Sequence, residues 1–220
     1  MIRADALRVV FGRTVALDSV TFEIGPGVTG LFGPNGSGKS TFLRATAGLL
    51  RPVGGAVSID GVVATMRSER FRRRIGYAGH QSGLYPDLSV AENLTLFGRL
   101  YGARPDRVEE MLTAVGLTDR ASTPVGALSA GLARRASVAR AMLHEPDVLL
   151  LDEPYANLDD EASAKISEAV KAWVAPGRCA VIATHGAKRV KAFADAGVIL
   201  RDGRVVIAGS YRNPAQATAR

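Results

Sequence analysis

Apolar residues recur along this chain in rhythms that change with position. Short runs bounded by Gly and Pro fall at 7–11, 20–24, 28–32 and 57–60, with the length and punctuation of β-strands. From about 90 to 143 the spacing lengthens. There Leu94, Phe97, Leu100 and Tyr101, then Val108, Met111, Leu112 and Val115, recur at three- and four-residue steps. That period predicts amphipathic helices whose apolar stripes pack into a core. Strand-like 148–151 follows, then a helix over 160–173, a strand over 179–184, a short helix over 187–194 and a hairpin over 198–207 that turns at Asp202-Gly203. Alternation of strand and helix predicts an α/β core with a largely parallel sheet, and the all-helical middle predicts an inserted helical subdomain. Neither internal repeats nor low-complexity tracts occur, and 211–220 reads as a frayed tail.

Between the apolar run at 28–32 and a helical pattern over 41–50 stands Gly33-Pro34-Asn35-Gly36-Ser37-Gly38-Lys39-Ser40-Thr41. Strand, glycine-rich turn and helix in that order make a phosphate-binding P-loop. The glycines let successive backbone N–H groups turn inward around phosphates, Lys39 reaches the β/γ-phosphates, and the Ser40 hydroxyl can ligate Mg²⁺. The helix behind the loop adds partial positive charge at its N-terminus. A second constellation ends the run Val148-Leu149-Leu150-Leu151-Asp152-Glu153-Pro154. Its unbroken apolar character fits a central parallel strand, on which Asp152 and Glu153 point in different directions. One carboxylate can hold Mg²⁺ through water while the other addresses the attacking water as a general base. Buried paired carboxylates are costly unless a metal or donors satisfy them, which argues for chemistry. P-loop and carboxylates together are the two halves of an ATP-hydrolysing site.

Composition narrows the picture. With 220 residues, 47% of them hydrophobic, the chain has room for one well-cored domain and a subdomain within it, but not for a second full domain. A net charge of +7 and a pI near 10.0 could signal nucleic acid or an anionic membrane, but the arginines are scattered. The one dense basic run, 67–74 with Arg70, Arg72, Arg73 and Arg74, reads as a solvated helix face. Cys179 leads an apolar run and reads as a core residue. Charges and a glycine stand at the N-terminus where a signal peptide would be apolar, and no run nears the ~18 apolar residues of a membrane span. A cytoplasmic location is expected, and any transport role needs a separate membrane partner. His80 and His144 lack metal-ligand spacing and read as structural or surface residues, and Asn93-Leu94-Thr95 is a glycosylation sequon in form only.

Over almost its whole length the sequence resembles an ATP-binding cassette (ABC) ATPase. Gln81, in Tyr77-Ala78-Gly79-His80-Gln81, matches that family's Q-loop glutamine, which contacts Mg²⁺ beside the surface that meets a membrane domain. Leu128-Ser129-Ala130-Gly131-Leu132 resembles the signature usually written LSGGQ. Asn157-Leu158-Asp159 is similar to the D-loop, His185 to the switch histidine, and Phe11 to the aromatic that stacks on adenine. The resemblance implies a P-loop NTPase core with a largely parallel sheet, an N-terminal antiparallel β subdomain and an inserted helical subdomain at about 88–143, in one domain over 1–220. It implies that Ser129 and the Gly131 N–H face a γ-phosphate bound to a second subunit, so that two chains pair head to tail around ATP. Glu153 would then be the general base, with His185 and Gln81 assisting. Ser40, Gln81 and Asp152 would surround Mg²⁺, and Asp159 would border the nucleotide. The signature departs from the common form: Ala130 replaces a glycine and Leu132 a glutamine, which puts the turnover rate in question.

The segment 79–94, followed by Phe97, Arg99, Leu100 and Tyr101, resembles the ATPase subunit of the haem exporter used in cytochrome c maturation. So do the LSAG variant with Arg134-Arg135 and the Asp152-Glu153-Pro154-Tyr155 run. That resemblance implies haem export through a separate permease at the cytoplasmic face of the membrane. The alternatives are the ATPase of another small exporter, of drugs, lipids or polysaccharides, and, further off, a soluble ABC ATPase outside transport. No nucleic-acid partner is expected.

Overall fold

Two sheets share the work of positioning the loops named above. The computed structural model describes residues 1–65 and 67–210 and the backbone of 218–219. The chain opens with β1 (Ile2–Phe11) and β2 (Thr14–Ile24), followed by β3 (Gly27–Phe32), α1 (Lys39–Thr46), β4 (Gly54–Ile59) and β5 (Val62–Val63). Then come α2 (Glu69–Arg73), β6 (Ile75–Ala78), α3 (Val90–Tyr101), α4 (Arg107–Ala114) and α5 (Ala130–Met142). The rest is β7 (Val148–Asp152), α6 (Asp160–Trp173), β8 (Cys179–Thr184), α7 (Ala187–Lys191), β9 (Ala196–Arg201), β10 (Arg204–Ser210) and β11 (Thr218–Ala219). An antiparallel sheet runs β2-β1-β4-β5, and a larger one runs β11-β10-β9-β3-β8-β7-β6, parallel from β9 to β6 and antiparallel from β9 to β11. This is the expected α/β core with its antiparallel β part, and α3, α4 and α5 lie between β6 and β7 in the chain. The frayed tail expected over 211–220 lies outside the described residues except for β11, which pairs with β10.

The register of β7 explains why one of the two carboxylates faces the P-loop helix. All five of its residues are buried, since a central parallel strand is covered on both faces. Leu149 and Leu151 enter the core shared with α3–α6, whereas Val148 and Leu150 enter the core shared with β1, β2 and α1. Side chains alternate along a strand, so Asp152 falls on the α1 face with Val148 and Leu150. The P-loop helix is anchored on that face by Phe42 and Leu43, both fully buried.

Local rules set the helix starts. Ser89 Oγ accepts from Glu92 N at 3.2 Å while the Glu92 carboxylate accepts from Ser89 N at 2.8 Å, a capping box that fixes the start of α3. Gly102, in the left-handed region at φ 70°, ends it. The basic run forms the short α2, which buries Phe71 and spreads its arginines outward. Arg73 pairs with Glu69 and donates to Tyr101 O, and Arg74 bridges Asp60 and Asp147. The solvated face is thus laced with ion pairs. Cys179 is buried in β8, where burial pushes its thiol up to about 12, so it is a core residue as expected. No helix among the described residues is long and apolar enough to cross a membrane.

Candidate active site

The loop from Gly33 to Gly38 leaves the end of β3 and enters α1 at Lys39. Gly38 caps that helix at φ 102°, a conformation that side chains avoid, and a Cβ there would lie 2.7 Å from Ala16 O and 2.6 Å from Leu17 Cδ2. Strand β2 therefore abuts the loop, and the β1–β2 hairpin carrying Phe11 comes with it. Phe11 stands at the end of β1, 47% exposed. Beside β2, the β9–β10 turn also holds the loop: Gly203 N donates to Ser37 O at 3.2 Å.

Inside the loop, Lys39 Nζ donates to Gly33 O at 2.8 Å and Pro34 O at 3.0 Å, so the ammonium is held over the turn. Burial lowers its pKa, and the Glu153 and Asp152 charges oppose that shift. Ser40 Oγ donates to Asp152 Oδ1 at 3.0 Å, which joins the P-loop helix to the end of β7. Burial raises the Asp152 pKa, and the Ser40 hydrogen bond works against it. Ser40, Asp152 and Gln81 line one cleft of about 650 Å³, together with Tyr77, Arg140 and His144. Hydroxyl, carboxylate and amide oxygens are the hard donors that Mg²⁺ prefers. Ser37 Oγ is buried and finds no hydrogen-bond partner among the described residues. Nucleotide and Mg²⁺ both fit this donor set.

Glu153 turns the other way. The residue sits at φ 49°, left-handed and uncommon for a side chain of this size, with its N–H donating to Ala183 O at 2.8 Å. Its Oε1 accepts from His185 N at 2.9 Å and lies 3.1 Å from His185 Nδ1. Glu153 and His185 line a second cleft of about 750 Å³ with Asn157, Leu158 and Thr184. Two carboxylates adjacent in sequence thus face two clefts, one beside the P-loop hydroxyl and one beside a histidine.

The family model described as ABC transporter matches residues 17–156, which span the P-loop, Gln81, Ser129 and both carboxylates. The chain belongs to the ABC transporter family. It is an ATP-binding, ATP-hydrolysing subunit of that family. Nod factor export ATP-binding protein I of Cupriavidus metallidurans is 35% identical over 208 residues, covering 92% of this chain and 69% of that protein. The ABC transporter ATP-binding protein NatA of Bacillus subtilis is 34% identical over 200 residues, covering 89% of this chain and 81% of its own. A solved ATP-binding cassette dimer in a post-hydrolysis state with ADP and Pi superposes at a TM-score of 0.87, with 28% identity over 97% of this chain and 100% of that one.

In this ABC ATPase the signature and D-loop residues stand apart from the cleft that Ser40, Gln81 and Asp152 line. Ser129 is the N-cap of α5, its Oγ accepting from Leu132 N at 3.3 Å, and Asp159 is the N-cap of α6, accepting from Ala162 N at 2.7 Å. Both side chains therefore cap their own helices, and both are exposed. Gly131 shows why signature and D-loop go together: a Cβ there would lie 2.9 Å from Leu158 Cδ2 and 3.1 Å from Asn157 O. Leu132, at the usual glutamine position, is half-buried against the core that Leu128 and Leu158 also cover.

His144 is structural, as read from sequence: its ring stacks on Tyr101 with centroids 4.2 Å apart, and Nε2 lies 3.1 Å from Ile75 O. His80 is exposed. Three features of the site escape sequence reading. They are β6, which leads into the Gln81 loop, the Gly203 turn on the P-loop, and Arg134, whose guanidinium meets Gly79 O, His80 O and Asp152 O.

Proposed function

We propose that this ABC ATPase works as one half of a head-to-tail pair, with itself or a paralogue, at the cytoplasmic face of a membrane, where it drives a separate permease that exports its cargo. The observation that carries the reading is the Ser40–Asp152 hydrogen bond of 3.0 Å with Glu153 turned back onto His185. It joins a phosphate loop, a candidate metal carboxylate and a candidate base in one chain. The loop Gly33, Pro34, Asn35, Gly36, Ser37, Gly38, Lys39, Ser40 and Thr41 would hold the phosphates of ATP, and Phe11 would stack on the adenine. Lys39, held over the loop by the Gly33 and Pro34 carbonyls, would turn its remaining donor to the β/γ-phosphates. Ser40, Asp152 and Gln81 would hold Mg²⁺, which when bound offsets the charge on the β- and γ-phosphates. Glu153 takes the proton of the attacking water, and His185 orients Glu153 and the γ-phosphate. Ser129, Gly131 and Asp159 serve the phosphate and nucleotide edge of the opposing subunit.

Export is supported by the names of the relatives, among them a Nod factor exporter subunit. These relatives favour the exporter of another cargo over haem, which rests on motif wording: the segment 79–101, the LSAG signature with Arg134-Arg135, and the Asp152-Glu153-Pro154-Tyr155 run. Two measurements test the reading. Glu153→Gln should bind ATP as the parent does, release phosphate at least about a thousandfold more slowly and accumulate as an ATP-loaded dimer in size exclusion. A variant that hydrolyses ATP at the parental rate would remove Glu153 as the base. The same tagged variant, incubated with Mg-ATP and detergent-solubilised native membranes, should retain a multi-spanning permease identifiable by mass spectrometry. Cytochrome-maturation components alongside it would favour haem, a different permease another cargo, and ribosomes or DNA-repair proteins would end the transport reading.

A further inference from the structure

Along one face of α5, three side chains spaced three residues apart donate to carbonyls of the segment that carries Gln81. Arg140 Nη2 donates to Tyr77 O at 2.8 Å, Arg134 to Gly79 O and, at 3.2 Å, to His80 O, and Ser137 Oγ to Ser82 O at 2.9 Å. Residues three apart on a helix share a face, so this row grips 77–82 end to end. Only Arg134 also reaches the other side of the cleft, with Nη1 3.4 Å from Asp152 O. The helix that bears this row begins at Ser129, about 7–8 Å of rigid helix away. The Gln81 loop and the end of β7 therefore meet at one guanidinium, borne on the helix that the signature opens.

We propose that Arg134 is a positioning residue: it locks the Gln81 loop and the Asp152 carbonyl to the signature helix, so that contact at Ser129 and Gly131 is transmitted to the cleft that Ser40, Gln81 and Asp152 line. The proposal rests on the ATPase reading above. The chemistry suits the task. A planar guanidinium has five donors and can span two or three carbonyls at fixed angles, whereas an ammonium cannot. Burial lowers its pKa from the ordinary arginine value, and the adjacent Asp152 and Glu153 charges oppose that shift. Ser137 and Arg140 hold only the ends of the segment, so the three-way junction depends on Arg134.

The test compares the full chain with Arg134→Ala and Arg134→Lys in three readouts. Hydrogen exchange over residues 79–83 in nucleotide-free protein should quicken by about tenfold in Arg134→Ala, because the loop has lost its central grip. Affinity for a fluorescent ATP analogue should stay within about threefold while kcat falls by about thirtyfold, the pattern of a group that supports a reacting residue without binding substrate. Arg134→Lys should recover only part of kcat, and it carries the test should the alanine variant not fold. Exchange at parental rates, a kcat within about threefold of the parent, or affinity and kcat falling together would each overturn the proposal. A parent that releases no phosphate would sink the ATPase reading instead, and the exchange rates would still decide whether Arg134 holds the loop.

Discussion

The P-loop cleft and the signature edge are built in opposite ways. In the cleft, charged groups are withdrawn from water: Lys39 is 6% exposed and Asp152 3%, and both are satisfied within the chain. At the edge, Ser129 and Asp159 are exposed, and each spends its acceptor capacity on the first turn of its own helix. The cleft is thus preorganised for an anion, since its desolvated groups already have fixed partners. The edge presents helix N-termini outward, as suits a phosphate delivered by another molecule. On the proposed function, binding belongs to one chain and hydrolysis to two. Mutations on the two sides should therefore separate affinity from turnover.

The largest effect belongs to the cleft. Lys39→Ala removes the ammonium that would meet the β/γ-phosphates and also the tie to Gly33 O and Pro34 O. Affinity for a fluorescent ATP analogue should fall by at least about a hundredfold, roughly 3 kcal/mol. An affinity within a few-fold of the parent would show that the cleft binds nucleotide without its lysine and would blur the contrast with the edge.

Desolvation in the cleft also has a pH signature that the edge lacks. His144 lines the same cleft, and burial holds its pKa at about 4 against an ordinary 6.5. Between those values the unfolded chain binds a proton that the folded chain refuses, so stability rises with pH in that window and is lost as pH falls from 6.5 towards 4. The loss attributable to this one residue is up to about 3 kcal/mol. His144→Phe keeps a ring on Tyr101 and should flatten the pH dependence of denaturant midpoints in that range. Parallel slopes for parent and variant would mean that the imidazole titrates as freely as an exposed one.

On the edge, Gly131→Ala should leave ATP affinity within about twofold and lower turnover by about tenfold. The added Cβ pushes against Asn157 O at 3.1 Å and Leu158 Cδ2 at 2.9 Å, which separates signature from D-loop without touching the P-loop. Steady-state phosphate release against ATP concentration checks the split. A raised KM with unchanged kcat would move Gly131 to the binding side.

The sequence was readable where backbone chemistry leaves little choice. Gly33, Gly38 and Lys39 stand at the spacing a phosphate loop demands, and the unbroken apolar run before Asp152 fits a strand covered on both faces. Strand β6 was hidden because Ile75-Gly76-Tyr77-Ala78 is four residues long, shows no alternation and follows a run of arginines. It becomes a strand only because β7 pairs with it in parallel, a tertiary effect that no local pattern carries. Arg134 was named from sequence only as part of a motif, since its work depends on which face of α5 meets the Gln81 loop. Ser129 was read for its reach across a dimer and Asp159 as bordering the nucleotide, yet local capping alone would select serine and aspartate at both positions. Motif and cap point to the same residues for independent reasons.

Leu132 offers the smallest effect and the finest test of the contrast. A glutamine usually stands at this position in the family, yet here the side chain is half-buried against the core with Leu128 and Leu158. If the edge is a packing surface that also presents a helix end, Leu132→Gln should cost about 1 kcal/mol, or about 2–4 °C in Tm, through lost apolar burial. ATP affinity should not move, because no cleft residue is touched. Turnover should hold or rise by a few-fold, as the amide regains hydrogen bonds across the pair that leucine cannot make. Leu132→Met, similar in volume, should hold both Tm and turnover at parental values. A Leu132→Gln variant that keeps its Tm but loses turnover would assign the leucine itself to the subunit contact. The line between a self-contained cleft and a partner-dependent edge would then run through the first turn of α5 rather than ahead of it.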